Sequence, residues 1–200
     1  HQDKANRLDL FQIWINLPAK DKMTEPGYEM IWAHEVPHVQ LDEGDVRVIS
    51  GRWNEHVAPP APQASWANDP EHEVALYILT VKPGGHVELP TASEDANRMM
   101  YHIDGGSATV EGQTLKPKHG MQLHAHLPTV IEAKDEQVRV LVLQGKPIAE
   151  PVAQHGPFVM NTNEEIYQAF SDYRRTEFGG WPWGPSDIVH PREQGRFAKM

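Results

Sequence analysis

Twelve of the 200 residues are histidine, and two pairs of side chains stand at spacings that could bind a metal. His124-Ala125-His126 puts two imidazoles two residues apart. On a strand, alternate residues share a face, so both rings would point the same way, as two ligands must. His86-Val87-Glu88 repeats the spacing with a carboxylate. On adjacent strands, His86, Glu88, His124 and His126 would form a facial set suited to Fe(II), with positions open for oxygen and substrate, and His102 could join it. The competing expectation is half-exposed strand histidines that bind nothing, because two-residue spacing is a weak signal by itself.

Other candidates carry less. Glu71-His72-Glu73 could tune a proton transfer, but it follows Pro70 at a loop boundary and reads as a solvated turn. No G-x-S-x-G elbow is present, so a hydrolase triad has no support. Trp14, Trp181 and Trp183 could line a ligand cleft, but packing at an interface or edge is the simpler expectation. The loop Lys20-Asp21-Lys22-Met23 alternates charge and reads as a structural contact rather than an anion site.

Composition bounds the function. The net charge of -10 repels phosphate backbones and anionic lipid, so direct nucleic-acid binding is not expected and any partner should be a protein. With no cysteine, disulfides, thiolate metal sites and cysteine nucleophiles are all excluded. No apolar run is long enough to span a bilayer, and the first residues lack a signal core, so a cytoplasmic protein is expected. The chain starts at His1 and stops in GRFAKM, and it is expected to be a piece of a longer protein.

The elements that must position these residues are mostly short strands. Leu8 to Leu17 alternates apolar and polar residues and predicts a strand ended by Pro18. A further strand is expected at Val46 to Ile49, then a proline-rich connection from Trp53 to Pro70. Val74 to Val81 is apolar on both faces and predicts a central strand. His86 to Leu89, Arg98 to Ile103, Ser107 to Val110, Gln113 to Leu115, Met121 to His126, Thr129 to Ala133 and Val138 to Leu143 complete the set. Glu111-Gly112 marks a hairpin turn. Short strands at even spacing indicate an all-β barrel or sandwich.

One helix stands apart. In NTNEEIYQAFSDYRRTEFGG, Thr162 and Glu165 fit a capping box, and Ile166, Ala169, Phe170 and Tyr173 form one apolar stripe. Gly179 and Gly180 permit a left-handed exit. The stripe predicts a helix that closes the β core, with Phe170→Ala costing about 3–5 kcal/mol if that ring is core.

Three stretches resemble the pirin family of the cupin superfamily: FQIWINLPAKDKMTEPGY at Phe11 to Tyr28, VLQGKPIAEPVAQHGPFVMNT at Val142 to Thr162, and EEIYQAFSDYRRTEFGGWPW at Glu164 to Trp183. The resemblance implies two cupin barrels in one polypeptide, the first holding a mononuclear metal, commonly iron, and the second holding none. It also implies quercetin 2,3-dioxygenase-type activity and, in animals, a nuclear regulatory role. In this register the family's ligands fall before residue 1, so no metal ligand, cofactor or catalytic residue is carried onto this chain. The Fe(II) belongs to the first barrel.

The fold expected is therefore an all-β, cupin-like barrel or jelly roll with a C-terminal α-helix. Residues 1–27 would be the closing strand and linker of a mostly absent first barrel, 28–155 the second barrel, and 156–200 the helix and tail. The expected partner is the N-terminal cupin barrel of the same protein. The function expected is the non-metal half of a quercetin 2,3-dioxygenase-type oxidoreductase. The alternatives are a non-catalytic protein-interaction module, or a single cupin binding metal through His86, Glu88, His124 and His126.

Overall fold

Alternation of apolar and polar residues builds two facing sheets. A computed structural model describes residues 3–5, 8–180 and 193. The larger sheet is formed by β1 (His38–Leu41), β2 (Gly44–Ser50), β5 (Ala75–Val81), β7 (Asn97–Gly105), β10 (Gly120–His124) and β12 (Val138–Gly145). Its order is β1-β2-β5-β12-β7-β10, all antiparallel. The smaller sheet is formed by β6 (His86–Leu89), β8 (Ala108–Val110), β9 (Gln113–Leu115) and β11 (Thr129–Ala133), in the order β6-β11-β8-β9. A two-residue pair, β3 (Arg52–Trp53) and β4 (His56–Val57), and a hairpin, β13 (Ala153–His155) and β14 (Phe158–Met160), lie outside them. No helix among the described residues is long and apolar enough to cross a membrane.

The core lies between the sheets. Val46, Val48, Tyr77, Leu79, Val81, Met100, Val138, Val140 and Val142 face inward from the larger sheet. Val87, Leu89, Ala108, Val110, Leu115, Ile131 and Ala133 meet them from the smaller one. β5 explains its two apolar faces: Ala75, Tyr77, Leu79 and Val81 are buried, and Leu76 and Ile78 are half-buried on the outer face. Leu141 is buried but stands outside the core cluster, between its outer-face pair partners Ile78 and Tyr101. One glycine is required where β7 ends: at Gly105, with φ 91°, a Cβ would lie 1.9 Å from the Gln137 carbonyl oxygen.

Several expectations change. Residues 8–18 do not form the strand their alternation predicts: none of them belongs to a strand. A strand needs a hydrogen-bonded neighbour, and no described strand supplies one. His38–Leu41, by contrast, is a strand that the pattern did not reveal. The Trp53–Pro70 connection holds the β3–β4 pair and, near its end, a short 3-10 turn at Trp66–Asn68, with another following at Pro70–His72. The strand expected to reach His126 ends at His124.

The helix α1 (Asn163–Thr176) begins as expected, with both arms of the Thr162–Glu165 capping box formed. It does not close the β core. It packs on the β13–β14 hairpin, and only Ile166 of its residues is fully buried. Phe158 is the hub of an aromatic cluster with Phe170 (ring centroids 4.8 Å apart), Tyr173 and Phe178. The left-handed exit starts at Glu177 and Phe178 (φ 48° and 50°) and continues through Gly179 and Gly180. Because Phe170 is only half-buried, Phe170→Ala is expected to cost about 1–3 kcal/mol rather than a full core penalty. Hydrogen exchange should rise in α1 and in β13–β14 while β5 stays protected; a rise in β5 of equal size would mean that the helix supports the main core after all.

Candidate functional site

The two ligand pairs fall on different sheets. On β6, Val87 and Leu89 take the core positions, so His86 and Glu88 face outward. His86 Nδ1 lies 2.6 Å from Glu43 Oε2, and its backbone N–H donates to the same oxygen at 2.7 Å. On β10, Leu123 packs on the core, which sends His124 outward at the sheet's edge. His126 lies beyond the strand, its ring 5.8 Å from that of His124. The adjacency that the Fe(II) set needed is therefore absent, because β6 belongs to the smaller sheet and β10 to the larger. Among the described residues no group of three or more His, Asp or Glu side chains is placed to hold a metal ion.

His102 is buried on the inward face of β7, between the two sheets. Its Nε2 lies 2.6 Å from the Gly106 carbonyl oxygen. A carbonyl only accepts, so Nε2 carries the proton, and Nδ1 is left buried without a partner.

The densest polar chemistry lies at one end of the larger sheet, on residues the spacing rules did not select. Arg98 occupies an inward position of β7 and is only 2% exposed. Its Nε donates to Gln144 Oε1 at 2.9 Å, and Nη2 donates to Gln144 Oε1 and to the Pro90 carbonyl oxygen. Nη1 is buried with no partner. Burial lowers the guanidinium's hold on its proton, and nearby Tyr77 and Glu73 act in the opposite direction. Gln144 also donates to the Glu73 carbonyl oxygen at 3.1 Å. The Glu73 carboxylate accepts from the Ser93 hydroxyl and backbone N–H, and Lys146 Nζ lies 3.5 Å from it. The Ser93 hydroxyl has one proton and shares it between this carboxylate and Asp95 Oδ1, which lies 2.6 Å away. That hydrogen bond holds the Asp95 carboxyl below its usual range; desolvation opposes it, and Lys146 adds a further lowering.

This network ties three loops together. Glu73 stands at φ 49°, where a β-carbon is disfavoured, and its carboxylate is bonded to Ser93. His72 is no free solvated turn residue: it stacks on Trp66 with rings 3.2 Å apart and donates from Nδ1 to the Trp66 carbonyl oxygen at 2.8 Å. Trp66 Nε1 in turn donates to the Lys146 carbonyl oxygen at 2.9 Å. The sequence carried one signal of this network: a charge, Arg98, at a core-parity position in the otherwise apolar run RMMYHI.

The interior donors do not suit a divalent metal. The charged group there is itself a cation, Arg98, and the lone imidazole, His102, has its Nε2 committed to a carbonyl. What the end of the sheet can do is fix loops through charge-assisted hydrogen bonds. Beside it, Ile13, Trp14, Ile15 and Asn16 line a cavity of about 380 Å³ together with Trp66, Leu76, Met99 and Leu143. Trp14 thus reaches a cleft, while Trp181 and Trp183 lie outside the described residues.

Tyr77 gives this region a pH signature. It is buried edge-on to Trp53, with ring centroids 5.3 Å apart, and donates to the Arg52 carbonyl oxygen. Burial pushes its hydroxyl up from 10.0 to about 12, with Arg98 pulling the other way. The folded chain keeps this proton while the unfolded chain releases it, so stability falls as pH rises from about 10 to about 12. Tyr77→Phe is expected to flatten that alkaline slope by about one proton. Equal slopes for the two proteins would assign the ionisation to other groups.

Comparison with known proteins gives a consistent pattern. Residues 70–179 match the family described as the Pirin C-terminal cupin domain. A pirin-like protein of Caulobacter vibrioides is 38% identical over 178 residues, covering 88% of this chain and 61% of that protein. Pirin of Homo sapiens is 33% identical over 174 residues, covering 84% of this chain and 56% of that protein. The crystal structure of a quercetin 2,3-dioxygenase from Acinetobacter baumannii superposes with a TM-score of 0.72 at 28% identity, covering 83% of this chain and 55% of that one. The chain thus spans little more than half the length of these relatives.

Proposed function

This chain belongs to the pirin family, and from that premise we propose that it is the non-metal C-terminal cupin half of a longer quercetin 2,3-dioxygenase-type oxidoreductase. The observation that carries this reading is the filling of the barrel. Among the described residues its buried positions are apolar apart from Arg98, His102 and Thr129, and the first of these places a protein cation inside. In this reading an Fe(II) centre lies in a preceding barrel, and no step of its chemistry runs through residues of this chain. The chain's own contribution is to order that barrel. The outer face of the larger sheet supports this role. Leu76, Ile78, Met99 and Leu143 are only half-buried there, and Ile13–Asn16 lies at its margin. A packed neighbour would remove that apolar surface from water. A cytoplasmic location accords with the absence of cysteine.

The test uses the longer natural protein. It is expected to bind iron and to consume oxygen with quercetin, and the double change His124→Ala/His126→Ala should leave its iron content unchanged. Iron-loaded protein without turnover would remove the flavonol assignment but not the fold. Loss of iron from the double variant would move the metal to this barrel. A second reading, a non-catalytic protein-interaction module, is favoured by the exposed apolar residues Leu8, Leu10, Trp14 and Met23. It predicts no metal in the longer protein and saturable binding of a protein partner.

A further inference from the structure

The N-terminal segment and the C-terminal helical unit meet at one carboxylate. Glu150 Oε2 accepts from the Ala19 backbone N–H at 2.6 Å, across 131 residues of sequence. The same oxygen accepts from Asn161 Nδ2 at 3.0 Å. Asn161 Nδ2 also donates to the Pro151 carbonyl oxygen at 3.0 Å, and the Asn161 backbone N–H donates to Glu165 Oε2 at 2.9 Å. Glu165 is the residue that closes the capping box of α1. Lys22, held by Asn16 Oδ1 at 2.7 Å, lies within electrostatic range of both Glu150 and Glu165. Ala149, immediately before Glu150, is held at φ 58°, a left-handed conformation that non-glycine residues adopt only under constraint.

These contacts form one path: Ala19 N–H, Glu150 carboxylate, Asn161 side-chain amide and, through the Asn161 backbone N–H, the Glu165 carboxylate and helix cap. We propose that Glu150 is a latch that joins the N-terminal segment to the cap of α1, so that the two ends of the chain move as one body. The direction in which the chain enters from residue 18 is then set by the C-terminal unit, not by strand pairing. The latch adds to the Lys22–Asn16 bond and to the contacts of Ile13–Asn16 beside the larger sheet. Any domain preceding this segment inherits its orientation from the helix unit. The inference stands whether or not that domain carries a metal.

Hydrogen exchange on the longest natural form of the protein tests the latch, using Glu150→Ala, Glu150→Gln and Asn161→Ala. Glu150→Ala is expected to speed exchange at Ala19 and in the first turn of α1 by about tenfold or more, with β5 and β12 unchanged. Glu150→Gln keeps an acceptor oxygen but removes the charge facing Lys22, and should fall between the parent and Glu150→Ala. The decisive variant is Asn161→Ala, which touches no N-terminal residue yet should speed exchange at Ala19. If Asn161→Ala leaves Ala19 within about twofold of the parent, the two contacts are independent and the latch is overturned. Should Glu150→Ala fail to fold, the other two variants decide the matter, since each leaves the barrel core untouched.

Discussion

Replacing Leu79 by Ala is expected to lower stability by about 3–4 kcal/mol, well above the loss expected for truncating the half-buried Phe170. Leu79 is fully buried on β5 and is paired with Val46 on β2 and Val140 on β12, both also fully buried. Its side chain therefore sits where three neighbouring strands present inward residues, with Met100 in the same cluster. β-Sheet backbones on both sides restrain collapse, so the deleted atoms leave a cavity rather than a repacked core. Urea or guanidinium unfolding reads the change directly, provided that the slope of free energy against denaturant stays constant. A loss under about 1 kcal/mol would mean that the centre of the sheet relaxes freely, contrary to the burial seen. The α1 unit should be little affected, because it packs on β13–β14.

Replacing Gln144 by Leu is expected to cost roughly 3 kcal/mol, because it strips the buried Arg98 charge of its main acceptor. Gln144 Oε1 receives two of the guanidinium's N–H groups, and Nη1 is already unpartnered. The remaining described acceptor is the Pro90 carbonyl oxygen at 2.6 Å. Arg98→Met should cost less, about 1 kcal/mol, because the charge leaves with its donors and an apolar chain fills the space. The double variant Arg98→Met/Gln144→Leu should then cost little more than Arg98→Met alone, giving a coupling energy of about 3 kcal/mol in the double-mutant cycle. Additive losses would show that Gln144 acts through its bond to the Glu73 carbonyl oxygen rather than through Arg98.

Much of this architecture was legible in the order of the residues. Val74 to Val81 read as central because both faces were apolar, and β5 indeed lies between β2 and β12. Glu111-Gly112 read as a hairpin turn, and both residues carry positive φ between β8 and β9. The Thr162–Glu165 capping box read correctly because it is local chemistry. Leu8 to Leu17 forms no strand within this chain, for an instructive reason. Alternation reports that a segment could be half-buried in a sheet, but it carries no information on whether a neighbouring strand is present. Similarly, the stripe of α1 announced a burial partner and was assigned to the core. The partner is a hairpin of six strand residues, and the aromatic cluster leaves Tyr173 and Phe178 about half-exposed.

The sequence by itself determined the family, the all-β class, the strand periodicity and the helix start, because these rest on contacts between residues close in the chain or on motifs read as strings. Only the tertiary structure decided which faces meet. His86 and His124 have the right local spacing, yet the sheet order sends β6 and β10 to different sheets with both histidines outward. Arg98, Gln144, Glu73 and Lys146 have no shared motif, yet strand pairing brings them to one end of the barrel. The Glu150 latch spans 131 residues. Spacing rules reach only along one strand or one helix turn, whereas side chains from distant segments meet according to register and topology, which a single chain of letters does not state.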